Sequence, residues 1–301
     1  MEHITGLVAP VHTPMHPDGS LNLEMSELIV AHLERWNVAG IFVCGSTGEG
    51  QSLSLAERED VAEAYADAAR GRLRIIIHVG HNALGEARKL AGHAKKLGAD
   101  AIAMSPPSYF KPDSAETVAR CIRDVAEAAD ELPVYYYHVP VMTGVVIHII
   151  DLLRIAEVVC PQLVGVKYTF EDVMDLQQCV EFSGGRYDIL FGRDEMLLSG
   201  LVVGVKGAIG SSYNYAAPLY VRLMAAFERG DLDEARRLQH RAAQLIGVIR
   251  KHGGVVAHKT MMKLIGIDCG PCRLPLVDLT GEQAQALEAD LRELGFYEWI
   301  A

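Results

Sequence analysis

Lys167 lies inside an apolar run, Leu163-Val164-Gly165-Val166-Lys167-Tyr168-Thr169, whose length and β-branched content predict a strand. Burial disfavours an ammonium group and draws its pKa down, leaving an amine that can attack a carbonyl carbon. Desolvated lysines of this kind are the usual nucleophiles of Schiff-base chemistry. Strand alternation puts Leu163, Gly165, Lys167 and Thr169 on one face and Val164, Val166 and Tyr168 on the other. Gly165 is expected to leave space beneath the lysine. The competing expectation is a lysine at a strand end whose ammonium snorkels to solvent.

Other polar groups could serve such an amine. Gly45-Ser46-Thr47-Gly48-Glu49-Gly50 offers two hydroxyls and a glycine-rich backbone that could cradle a carboxylate, or could be a plain turn between strand and helix. No Gly-Lys-Ser/Thr follows it, so it is not a nucleotide phosphate loop. Tyr135-Tyr136-Tyr137 suits a strand. Tyr137, nearest its end, could move a proton beside the lysine or simply pack in the core. Asp194-Glu195 could accept from the hydroxyls of a sugar-like substrate and also cap a helix.

Cys269-Gly270-Pro271-Cys272 has the spacing of a thiol redox pair. It falls near the end of the chain and runs into Arg273-Leu274-Pro275-Leu276, which cannot begin a regular helix, so a structural loop is the favoured expectation. No HExxH and no second CxxC suggests a metal centre. The remaining histidines are dispersed and are read as structural.

Groups so far apart in sequence need a scaffold that gathers them. Eight strand-like segments recur: Gly6–Met15, Ala39–Thr47, Arg74–His81, Ala99–Pro107, Pro133–Pro140, Leu163–Thr169, Asp188–Asp194 and Lys206–Asn214. Between them lie segments with helical spacing, among them Glu24–Trp36, Leu55–Ala69, Leu84–Leu97, Ala115–Ala129, Ile149–Val159 and Val173–Phe182. Ser54 with Glu57 and Asp113 with Glu116 have capping-box spacing. This alternation predicts parallel βαβ units, and eight of them by about residue 227 match an α/β (β/α)8 TIM barrel. A doubly wound sheet is the alternative, but no GxGxxG follows the first strand. Residues 228–301 are expected to form a C-terminal helical extension packed on the barrel, with helices near Leu232–His252, Ala257–Ile265 and Glu282–Leu294 and a cap at Thr280 and Gln283. In barrel enzymes the site lies at the carboxyl ends of the strands, and that is where these polar groups fall.

Composition narrows the function classes. The 301 residues are 50% hydrophobic and carry a net charge of −11, which argues against nucleic-acid binding and against attachment to anionic membranes. No stretch approaches the roughly 18 apolar residues of a membrane span, and the first residues lack a signal-peptide pattern. Six scattered cysteines do not suggest a disulfide framework. A cytoplasmic protein with reduced thiols is expected.

Together these segments resemble the pyruvate-dependent class I aldolases of the dihydrodipicolinate synthase and N-acetylneuraminate lyase family. Gly45-Ser46-Thr47-Gly48-Glu49, Tyr137-x-x-Pro140, Gly165-Val166-Lys167 and Gly207-x-x-Gly210-Ser211 occur in the family's order and spacing, and the resemblance covers nearly the whole chain. Tyr136–Gly144, Gly165–Thr169 and Gly192-x-Asp194-Glu195 are similar to the lyase branch. Synthases usually carry an arginine two residues after the motif proline, where this chain has Met142, and Glu-Ala after the lysine, where it has Tyr168-Thr169.

The resemblance implies that Lys167 forms an imine with the keto carbon. It also implies that Ser46 and Thr47 hold the substrate carboxylate, Tyr137 shuttles the proton and Tyr109 reaches a neighbouring subunit's site. Thr169, Gly192, Asp194, Glu195 and Ser211 would then grip the sugar-like part. It implies reversible cleavage of N-acetylneuraminate to N-acetylmannosamine and pyruvate by a homotetramer that uses no cofactor and no metal. Alternatives are another 2-keto-3-deoxy sugar acid aldolase or dehydratase, the synthase reaction, or a non-catalytic member that binds a keto acid.

Overall fold

The computed structural model describes residues 2–130 and 132–301. Its strands are β1 (Gly6–Pro10), β2 (Gly40–Val43), β3 (Arg74–His78), β4 (Ala101–Met104), β5 (Val134–His138), β6 (Leu163–Tyr168), β7 (Asp188–Phe191) and β8 (Gly207–Ile209). They pair in chain order, all parallel, and β1 closes on β8 to complete a TIM barrel. All eight expected strands are present. Each expected segment also includes part of the loop at its strand's carboxyl end.

The helices are α1 (Met25–Arg35), α2 (Leu55–Ala69), α3 (Leu84–Leu97), α4 (Ala115–Ala126), the single turn α5 (Pro140–Thr143), α6 (Ile149–Val159), α7 (Val173–Gly185), α8 (Leu197–Val202) and α9 (Tyr213–Glu228). Beyond them lie α10 (Leu232–Lys251), α11 (Ala257–Leu264), α12 (Gly281–Leu294) and α13 (Phe296–Ile300). α10 packs along α9 and against the turn that follows β7, α12 packs on α10, and α13 packs on α9. Among the described residues no helix is long and apolar enough to cross a membrane.

Period-two alternation separates two cores. Val8, Phe42, Ile76, Ala103, Tyr135, Tyr137, Leu190 and Ile209 fill the barrel interior. Leu7, Ile41, Ile102, Tyr136, Val166 and Tyr168 face outward to the helices. The capping boxes at Ser54/Glu57 and Thr280/Gln283 are formed. The cap of α4 is displaced by one residue from expectation: Ser114, not Asp113, accepts from Thr117 N.

The space above Gly165 is not empty. β5 and β6 align Tyr135 with Gly165 and Tyr137 with Lys167. A Cβ on Gly165 would come within 2.6 Å of the Tyr135 ring and 2.2 Å of the Asp188 carbonyl. The glycine therefore admits Tyr135, whose phenol donates to Asp188 Oδ2 at 2.6 Å, while Ile4 N donates to the same oxygen at 3.0 Å. This buried layer closes the barrel beneath the lysine.

Candidate active site

Lys167 does not snorkel. It is only 4% exposed, and its Nζ lies 4.0 Å from the ring centroids of both Phe42 and Tyr137. Burial among these apolar walls pulls its pKa from 10.5 to about 7, against the opposing pull of the Asp194 carboxylate. At neutral pH a far larger share of the amine is then uncharged than in an ordinary lysine.

Tyr137, one strand away, packs edge-on against Phe42 and His78. Its hydroxyl stands 3.4 Å from Ser46 Oγ. Burial raises the phenol's pKa, opposed by the Ser46 hydroxyl and by the charge of Arg193. A phenol held this way keeps its proton at rest, with Ser46 as the adjacent hydroxyl.

The loop after β2 is held in an unusual backbone shape. Glu49 adopts a left-handed φ of 53°, uncommon for a residue with a side chain. Its carboxylate makes a buried ion pair with Lys259 of α11 at 2.8 Å and accepts from Arg273 N at 2.7 Å. Thr13 Oγ1 donates to Gly48 O at 2.6 Å. The conformation that presents Ser46 and Thr47 is thus locked from the C-terminal region.

Across the barrel, Asp194 is 4% exposed and accepts from Ser212 N at 2.9 Å and Ser212 Oγ at 2.5 Å. Burial raises its pKa to about 6, with Ser212 pulling the other way. Gly210 makes room for it, since a Cβ there would fall 1.8 Å from Asp194 Oδ1. Glu195 pairs with Arg250 of α10 and, at 3.9 Å, with Arg193.

Ser46, Thr47, Tyr137, Lys167, Thr169, Gly192, Asp194, Glu195 and Ser211 all line one cavity of about 320 Å³. Met142 lines it too. Tyr109 does not: it is 80% exposed on the loop after β4 and packs edge-on against Phe110. Sequence reasoning passed over Arg193 and every lining residue of the C-terminal region, namely Ile246, Ile249, Arg250, Gly254, Val255 and His258. Arg193 was legible as the unassigned position between Gly192 and Asp194. The others had no chemical signal of their own.

Ile267–Thr280 forms no helix or strand, and burial pushes both Cys269 and Cys272 up to about 12, so neither is a thiolate at neutral pH. That segment is a structural loop. Among the described residues, no group of three or more His, Cys, Asp and Glu side chains is arranged to hold a metal ion.

The arrangement suits covalent chemistry on a keto acid: a part-neutral amine, a phenol beside it, hydroxyls on one side and carboxylates on the other. Comparisons with known proteins agree. The model of the dihydrodipicolinate synthetase family matches residues 3–294. N-acetylneuraminate lyase of Mus musculus is 42% identical over 298 residues, which cover 97% of this chain and 93% of that protein. The Danio rerio enzyme of the same name is 40% identical, covering 95% of each. The solved structure of Proteus mirabilis N-acetylneuraminate lyase superposes with a TM-score of 0.95 at 38% identity, covering 98% of this chain and all of that one. Match length, identity and barrel geometry agree that the chain belongs to the dihydrodipicolinate synthetase family.

Proposed function

We propose that this protein is a class I aldolase that reversibly cleaves N-acetylneuraminate to N-acetylmannosamine and pyruvate. The observation that carries the reading is the buried Lys167 amine, drawn down to about 7 at the floor of a cavity walled on its far side by Asp194 and Glu195. Relatives named for this reaction support the choice of sugar.

Ser46 and Thr47 hold the substrate carboxylate and so place its C2 carbonyl over Nζ. The neutral amine adds to C2 and water leaves, giving a protonated imine. Tyr137 relays the C4 hydroxyl proton away. The C3–C4 bonding electrons flow into the imine, the aldehyde sugar departs and an enamine remains. Protonation at C3 and hydrolysis release pyruvate and free Lys167. The imine is the electron sink, so the route calls for neither cofactor nor metal. Thr169, Gly192, Asp194, Glu195 and Ser211 hold the sugar half. Met142 stands in the cavity wall without a charge for a second substrate carboxylate, which favours the lyase reaction over the synthase one.

Residues 1–227 form the catalytic barrel in this reading, and 228–301 the region that supports it. The functional unit is a homotetramer in which the exposed Tyr109 enters a neighbour's site.

The test is intact-protein mass after borohydride reduction with N-acetylneuraminate or pyruvate, followed by peptide mapping. A reduced pyruvate adduct on Lys167 from N-acetylneuraminate alone is the expected result. An adduct from pyruvate only keeps the aldolase chemistry and redirects the search to other sugar acids. No adduct from either rejects the mechanism.

The pH profile gives a second check. The reaction needs Lys167 neutral, with a pKa of about 7, and Asp194 ionised, with a pKa of about 6. Both conditions fail on acidification. The kcat/KM is therefore expected to fall about tenfold per pH unit below 7 and more steeply below 6. A rise that continues through pH 9 would mean an ordinary, solvated lysine.

A further inference from the structure

α10 lies outside the barrel, yet it reaches the sugar-facing end of the cavity twice. Gln239 bridges the turn after β7: its Nε2 donates to Asp194 O at 3.2 Å, and its Oε1 accepts from Leu198 N at 2.7 Å. Three helical turns later, Arg250 grips the Glu195 carboxylate. Ile246, on the same face between them, lines the cavity.

The grip is one-sided. Arg250 and Arg193 both engage Glu195 Oε1, whereas Oε2 accepts no hydrogen bond among the described residues. A carboxylate tethered by one oxygen has its other oxygen aimed and free to accept from a hydroxyl. Arg250 itself is largely exposed, so its pair with Glu195 adds little to stability. Holding the carboxylate in place is the role the geometry leaves for it.

We propose that Arg250 is a positioning residue that sets affinity for the polyhydroxylated part of the substrate. It acts by fixing Glu195 Oε1 so that Oε2 meets a sugar hydroxyl. The inference rests on the aldolase reading of the same cavity and adds a determinant outside the barrel. It separates two halves of the site. Among the described residues no hydrogen bond or ion pair joins the keto-acid half, around Lys167, Ser46 and Thr47, to α10, whereas the sugar half is tied to it through Asp194 and Glu195.

The experiment compares wild type with Arg250→Gln and Arg250→Lys. The readouts are steady-state kinetics with N-acetylneuraminate and the rate of borohydride trapping with pyruvate alone. Arg250→Gln is expected to raise the KM for N-acetylneuraminate about 5- to 20-fold with a smaller change in kcat, because it removes a charge-assisted contact that orders the acceptor. Pyruvate trapping stays at the wild-type rate, and Arg250→Lys recovers most of the lost affinity. The wild-type KM also rises as NaCl goes from about 0.05 to 0.5 M, while that of Arg250→Gln does not.

An unchanged or lower KM in Arg250→Gln overturns the inference. So does an equal loss in pyruvate trapping, which would mean general damage to the site. A wild-type protein that traps pyruvate but never turns over N-acetylneuraminate defeats the proposed sugar, and this inference with it. Wild-type turnover with no difference in the variant defeats this inference alone.

Discussion

Lys167→Met is expected to lose at least about 10⁴-fold in turnover and all borohydride trapping, and yet to unfold at a higher temperature than the wild type. The first effect follows from removing the only nucleophile of the route. The second follows from the same burial that makes the nucleophile. Folding with the amine held at about 7 rather than 10.5 costs roughly 4–5 kcal/mol below neutral pH, where the native site must carry in its apolar walls the charge that the unfolded chain keeps in water. Methionine has a similar length, carries no charge and can pack between Phe42 and Tyr137.

Between pH 7 and 10.5 the unfolded lysine binds more proton than the native one, so wild-type stability gains with rising pH relative to the variant. The stability gap should be largest at or below pH 7 and should narrow towards pH 10. Urea unfolding at three pH values measures it. A variant less stable than wild type at pH 7 would show that the amine is not desolvated.

Lys259→Met is expected to cost about 3–5 kcal/mol, because it strands the Glu49 carboxylate in a buried site. Both partners are 5% exposed, and the pair holds the left-handed turn that presents Ser46 and Thr47. The double variant Glu49→Gln/Lys259→Met should regain much of that loss, since no net charge stays buried. A double-mutant cycle by chemical denaturation separates the terms. If the single Lys259 variant were no less stable than the double, the pair would not be what secures the loop.

Strand order and most helix limits were legible because they depend on local periodicity and caps. Ser54 and Glu57 begin α2 as read, and Leu84–Leu97 and Ile149–Val159 match residue for residue. Lys167 was legible because a charge in an apolar strand is a conflict that only function or solvent resolves. The space above Gly165 was misread, since a missing side chain says that something approaches but not what; the approaching group is the Tyr135 ring. Gln239 and Arg250 were illegible for a related reason. On an amphipathic helix they look like any solvated polar residues, and only the tertiary packing of α10 brings them to the turn after β7. The loop after β2 was half legible: Ser46 and Thr47 could be named as lining the cavity, but the support of their loop from Lys259 and Arg273, more than 200 residues away, could not.

That long-range support bears on how the protein comes into being. A chain leaving the ribosome has all eight strands by residue 209, so a closed barrel is sterically available at that point. Lys259, the counter-ion of Glu49, emerges about 50 residues later, a delay of several seconds at roughly 5–20 residues per second. During that interval the barrel can exist without the tie to Glu49. The loop that carries Ser46 and Thr47 therefore gains its last support late in biosynthesis, timed by the tail and not by the barrel that carries the lysine.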